Sequence, residues 1–138
     1  MTQYYYIGVV YNKTKPGISE KLFGRLKQYS KGNHNPIFYE LYVSKPGYDE
    51  HGKNCERFVK GVLDPYFEKP NGKSSEYVDP KYNHIDTQYV RGLVEDRIKC
   101  HPLKMYRLKK TFLPVTRYNA KTIEEGIKNF PEKYLEEV

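Results

Sequence analysis

The sequence predicts an α/β (α+β) fold: a small, mostly antiparallel central sheet flanked by helices, with a helical C-terminal extension. Three observations carry this. The segments QYYYIGVVY (3–11) and PIFYELYVS (36–44) are dense in aromatic and β-branched residues, as strands are. Only a short turn separates the first of them from a returning extended segment. Helix signals follow the second and third strands, giving the order β-β-α-β-α and then more helix. At 138 residues the chain is one domain's worth. It reads as a core over residues 1–85, with an extension over 86–138 packed on the same domain.

Taken in order, Asn12–Lys13–Thr14 supplies the first turn and Lys15 to Ser19 the returning strand. Ser19 is a plausible N-cap for a helix from about Glu20 to Ser30. Glu20 then sits where the helix dipole favours an acid, and Gly32 ends the helix. After strand 36–44 comes a loop, KPGYDEHGKN (45–54), rich in glycine and charge. A second helix covers Asn54 to about Leu63, with Pro65 near its end. EKPNGKSS (68–75) is turn-like, Glu76–Tyr77–Val78 a short strand, and Asp86 to Lys99 a third helix. The basic stretch KMYRLKKTF and a helix near Ala120 to Asn129 complete the chain.

Composition narrows the function classes. Fifteen tyrosines, six phenylalanines and no tryptophan suit a core or a wet polar groove, because tyrosine has an apolar ring and a polar tip. Lysine and arginine outnumber aspartate and glutamate by 24 to 17. The resulting charge of +7 favours polyanions, although any basic surface shares it. Cys55 and Cys100 are too few for a disulfide framework or a four-cysteine zinc site, so a reducing, intracellular setting is expected. No apolar run is long enough to span a bilayer and no secretion signal opens the chain, so neither membrane nor export is expected.

Leu22, Leu26 and Tyr29 define the apolar face of the first helix, and Arg25 lies at its margin. The second helix buries Cys55, Phe58, Val59, Val62 and Leu63, with Glu56 at the border. Each charge alone suits a solvated surface. Together they can bracket a groove, with a cation-binding carboxylate on one wall and a phosphate-binding guanidinium on the other. Alternation puts Tyr4 and Tyr6 on one face of the first strand and Tyr5 on the other.

The ordered set YYYIGVVY, Lys15-Pro16-Gly17-Ile18-Ser19, Arg25 eight residues after Gly17, and Tyr29 four further on resembles the GIY-YIG nuclease superfamily. The likeness is to the branch of phage and viral proteins whose second motif reads like K-I-G-I-S. NCERFVKGVLDPYF resembles that family's glutamate-bearing helix, and Ser75-Glu76-Tyr77 a G-E-W-F-type segment; the likeness covers roughly residues 3–80. It implies a metal-dependent endonuclease that hydrolyses DNA phosphodiester bonds with one divalent cation, Mg²⁺ or Mn²⁺. The alternative is a non-catalytic DNA- or RNA-binding module on the same scaffold. By the same resemblance Tyr6 (or Tyr4) orients or deprotonates the attacking water, and Lys15 supplies the charge that lowers the phenol's pKa. Arg25 stabilises phosphoryl charge, Tyr29 orients water or phosphate, and Glu56 holds the metal. Asn71 is the candidate for the asparagine that follows the glutamate helix.

Outside this set, Lys104, Arg107, Lys109 and Lys110, interleaved with Tyr106 and Phe112, form a cluster suited to a phosphate backbone or, equally, a solvated helix face. The four histidines share no ligand spacing.

Overall fold

A computed structural model describes residues 2–138 and has the expected α+β class. Its strands are β1 (Tyr4–Val10), β2 (Lys13–Ser19), β3 (Ile37–Ser44), β4 (Met105–Leu108) and β5 (Leu135–Glu137). Its helices are α1 (Leu22–Tyr29), α2 (Asp49–Leu63), α3 (Thr87–Cys100), α4 (Ala120–Asn129) and the short α5 (Pro131–Tyr134). The strands make one antiparallel sheet in the order β2-β1-β3-β4-β5.

Helices cover both faces, so β1 is buried from either side. Its alternation sends Tyr4, Tyr6 and Val10 into a core with Leu22, Leu26 and Tyr29 of α1 and Ile123 and Ile127 of α4. Tyr5 and Ile7 enter a second core with Cys55, Val59 and Leu63 of α2 and Val90, Val94 and Ile98 of α3. A central strand sealed on both faces has no solvated side. This explains why its sequence is almost continuously apolar or aromatic.

Several boundaries differ from the sequence-based expectation. The hairpin turns on Tyr11 and Asn12, whose φ values are 53° and 62°, so Lys13 and Thr14 already belong to β2. Two consecutive left-handed residues match the twist of the flanking strands. Helix α1 begins at Leu22, and Ser19 does not cap it: its hydroxyl bonds the backbone of Lys21 instead. Glu20 accepts a hydrogen bond from Gln3 Nε2 at 2.9 Å, and the amide of Phe23 donates to the carboxylate of Glu124 on α4. Helix α2 begins at Asp49, taking in most of the expected loop. Gly52 belongs in that helix because a Cβ there would lie 3.0 Å from Ser44 Oγ, so glycine lets α2 settle against β3. Its amide donates to the same oxygen at 3.2 Å.

Residues 76–78 form no strand. Phe67 and Val78 make a single bridge, and the Val78 amide donates to Thr14 O at 3.0 Å, so the segment lies along the outer edge of β2. Covering an edge in this way removes an open ladder of backbone groups. The C-terminal third is helical over α3 and α4, and it also adds β4 and β5 to the sheet. No helix of the described residues is long and apolar enough to cross a membrane.

Candidate active site at the outer edge of β2

Arg25 and Glu56 lie on helices that cover opposite faces of the sheet, yet they come within electrostatic range of each other around its edge. Strand β2 is outermost there, so a side chain at the margin of α1 and one at the margin of α2 can both reach past it. Glu56 lies within electrostatic range of Lys60, Glu76, Lys15 and Arg25. Lys15 likewise faces Glu76, Lys60 and Arg25. Thus three residues chosen from separate sequence segments, Lys15, Arg25 and Glu56, fall into one cluster.

Two members of that cluster were not picked out as site residues in the sequence. Glu76 comes from the segment that covers β2, and its φ of 62° is unusual for a side chain with a Cβ. Ser74 and Ser75 hold this backbone by accepting from the amides of Glu76 and Tyr77, each at 3.2 Å. The Glu76 carboxylate thereby stands 3.6 Å from Lys15 Nζ and 2.7 Å from Lys60 Nζ. Lys60 also reaches Glu56 Oε1 at 3.8 Å, one helical turn away. The i, i+4 spacing of Glu56 and Lys60 was visible in the sequence as a potential pair.

The electrostatics assign different states to these groups. Burial raises the pKa of Glu56 above the ordinary carboxylate value, against the pull of Lys60. Burial acts the same way on Glu76, but hydrogen bonding to Lys60 and the charge of Lys15 outweigh it and leave its pKa low. Lys15 is buried, which pushes its ammonium below the ordinary lysine value despite Glu76. Arg25 is also penalised by burial, but its neighbours Tyr6, Tyr29 and Glu56 more than compensate and leave its pKa raised.

Tyr6 requires a correction. Its ring is buried, stacks on Phe38 with centroids 4.1 Å apart, and shares a 2.7 Å hydroxyl–hydroxyl hydrogen bond with Tyr29. Burial, followed by the neighbouring Tyr29 hydroxyl, raises its pKa far above that of a free phenol, and only Arg25 among its named neighbours opposes this. Lys15 instead turns towards Glu76 and lies 4.7 Å from the Tyr77 ring centre. The expectation that Lys15 lowers the Tyr6 phenol is therefore overturned, and Tyr6 is not set up to deprotonate water. Tyr4 is no substitute: it faces Glu124, and burial raises it to about 12. Tyr29 is placed by Tyr6 on one side and by Arg25, whose guanidinium carbon is 6.0 Å from its ring centre, on the other. Asn71 occupies a left-handed position in the Pro70–Gly72 turn.

Tyr6→Phe is expected to lower stability by about 1 kcal/mol, the usual net value of a lost hydrogen bond, while leaving any cleavage rate nearly unchanged. Paired unfolding and cleavage measurements check this. A rate loss of orders of magnitude would return the proton-accepting role to Tyr6.

The C-terminal basic cluster does not form one row. Arg107 lies on β4 with its guanidinium 3.2 Å from Glu95 and 3.6 Å from Glu136. Lys109 donates to Glu132 O at 3.2 Å, whereas Lys104 and Lys110 are exposed. Arg107 instead belongs to a network in which Arg91 pairs with Glu40 and Glu95, and Tyr42 donates to Glu95 at 2.7 Å. That network ties α3 to the sheet and leaves Arg107 a poor phosphate ligand.

Among the described residues no group of three or more His, Cys, Asp or Glu side chains converges. Two carboxylates, Glu56 and Glu76, approach the Lys60 ammonium from 3.8 Å and 2.7 Å, so a cation already lies between them. A hard divalent ion that retains most of its water needs no more protein ligands than this. Compared with protein-family models, curated proteins and solved structures, the chain matches none.

Proposed function

We propose that the chain is a metal-dependent endonuclease that hydrolyses DNA phosphodiester bonds at the outer edge of β2, with Mg²⁺ or Mn²⁺. The supporting observation is the convergence of Lys15, Arg25 and Glu56 around one strand edge. Arg25 offers two parallel donors to the phosphoryl oxygens, where charge builds during displacement. Glu56 and Glu76 are the residues that would hold the cation, which when bound supplies Lewis-acid polarisation of the phosphate. Lys60, released from its carboxylates, is then free to pair with the DNA backbone. Lys15 replaces Tyr6 as proton acceptor, because its depressed pKa makes the neutral amine accessible. The cleavage rate should accordingly rise with pH through a value below that of an ordinary lysine.

The test is metal-dependent cleavage of plasmid, linear, single-stranded and branched DNA by the parent chain and by Glu56→Gln. The variant should be inactive yet no less stable at neutral pH. The sign follows from Glu56's raised folded-state pKa. Between the ordinary and the raised values, the folded protein binds more protons than the unfolded one. Stability therefore falls as pH rises through that window, and a neutral glutamine avoids the penalty. Equal cleavage by parent and variant, or none by either, defeats the enzymatic reading.

A second reading, a DNA-binding module without catalysis, draws support from the buried phenol of Tyr6 and from Lys60 occupying the cation position. DNA binding with no metal-dependent cleavage of any substrate form would establish it.

A further inference from the structure

We propose that Tyr77, Tyr11 and His34 form a stacking platform for an unpaired nucleobase of a DNA strand whose phosphate lies at Arg25, beside Lys15. This rests on the nuclease reading of the Lys15–Arg25 cluster and narrows its substrate to DNA with unstacked nucleotides beside the scissile bond. The aromatic run starts at the cluster itself, where Lys15 Nζ sits 4.7 Å from the Tyr77 ring centre. Tyr77 and Tyr11 follow with ring centroids 5.9 Å apart, then Tyr11 and His34 at 4.4 Å, edge to face. The run leads from charge to the tip of the β1–β2 hairpin. It has the order a nucleotide needs, with phosphate at one end and a base face at the other.

Tyr11 is the informative member. It occupies the first position of a two-residue turn with φ 53°, where asparagine or glycine is the residue of preference. A bulky aromatic held against that preference marks a site where the ring has a use beyond the turn. Tyr11 is also 38% exposed as a residue, and His34 lies in the exposed loop between α1 and β3, so neither is sealed into a core. Aromatic faces accept any base, so the platform confers structural rather than sequence preference. A base inside an intact duplex cannot reach it, because both of its faces are already stacked.

The test uses the full chain in EDTA, so that binding is read without cleavage, with single-stranded and duplex oligonucleotides carrying 2-aminopurine. The parent should quench the single-stranded probe. Tyr11→Asn keeps a residue suited to positive φ, so the hairpin is retained. It should weaken single-strand binding about tenfold, the usual loss for one stacking partner, and leave duplex binding unchanged. Tyr11→Phe should bind as the parent does. Unchanged single-strand affinity in Tyr11→Asn, an equal loss on duplex, or no binding to single strands overturns the platform. The two readings fail separately. Quenching that depends on Tyr11 without cleavage of any DNA form sinks only the nuclease. Cleavage abolished by Glu56→Gln but indifferent to Tyr11 sinks only the platform.

Discussion

Arg25→Ala is expected to lower metal-dependent cleavage about 100- to 1000-fold, the range seen when one preorganised oxyanion donor is removed. The size of the effect follows from where the charge sits. Arg25 is half-buried, and its guanidinium, ionised at any working pH, lies within electrostatic range of Glu56. Such a group is worth more than a solvated one, since water screens it less and its geometry is set beforehand. Arg25→Lys should recover only part of the rate, because an ammonium cannot present two parallel donors to a phosphate. Single-turnover cleavage with saturating metal measures both variants, and a thermal melt confirms that they fold. A loss of only a few-fold in Arg25→Ala would remove Arg25 from the chemistry.

Gly17→Ala should cause a large stability loss. The Tyr6 ring crosses directly over Gly17, and a Cβ there would overlap the phenol carbon and oxygen. Tyr6 has nowhere to move. It is stacked on Phe38 at an interplanar angle of 8° and hydrogen-bonded to Tyr29. Over-packing of this kind costs about 3 kcal/mol at its upper end. For a chain of this length that corresponds to a fall in Tm of roughly 10 °C, readable by calorimetry or circular dichroism. A Tm within a degree or two of the parent would mean that Tyr6 has a second position available. It would also reopen the possibility that Tyr6 reaches solvent.

The strands were legible because their signal is local: β1 and β3 are long, aromatic and uninterrupted. The turn at Tyr11–Asn12 was misplaced because tyrosine carries no hairpin signal, so Lys13 and Thr14 looked more turn-like than they are. The extra turns of α2 were hidden by Gly47 and Gly52. The second of these is a packing residue rather than a breaker. At the site, the margins of two apolar faces singled out Arg25 and Glu56, which the fold brings within electrostatic range of each other. The state of Tyr6 was out of reach, because its ionisation depends on strands from both sides and a partner hydroxyl 23 positions away. The role of Arg107 was misjudged for a similar reason. Its carboxylate partner Glu95 lies on α3 and Glu136 on β5, neither adjacent in sequence.

The amide of Phe23 has a temporal consequence. Helix α1 carries Arg25 but has no side-chain cap of its own, and the carboxylate that meets its first turn is that of Glu124, 101 positions later. During synthesis the hairpin and β3 emerge early, yet α1 cannot acquire this cap until α4 has left the ribosome. A nascent chain therefore holds Lys15 and Glu56 well before the helix bearing the arginine is fixed. Completion of the proposed site would accordingly wait on α4, and a fragment lacking α4 should leave the first turn of α1 without this carboxylate.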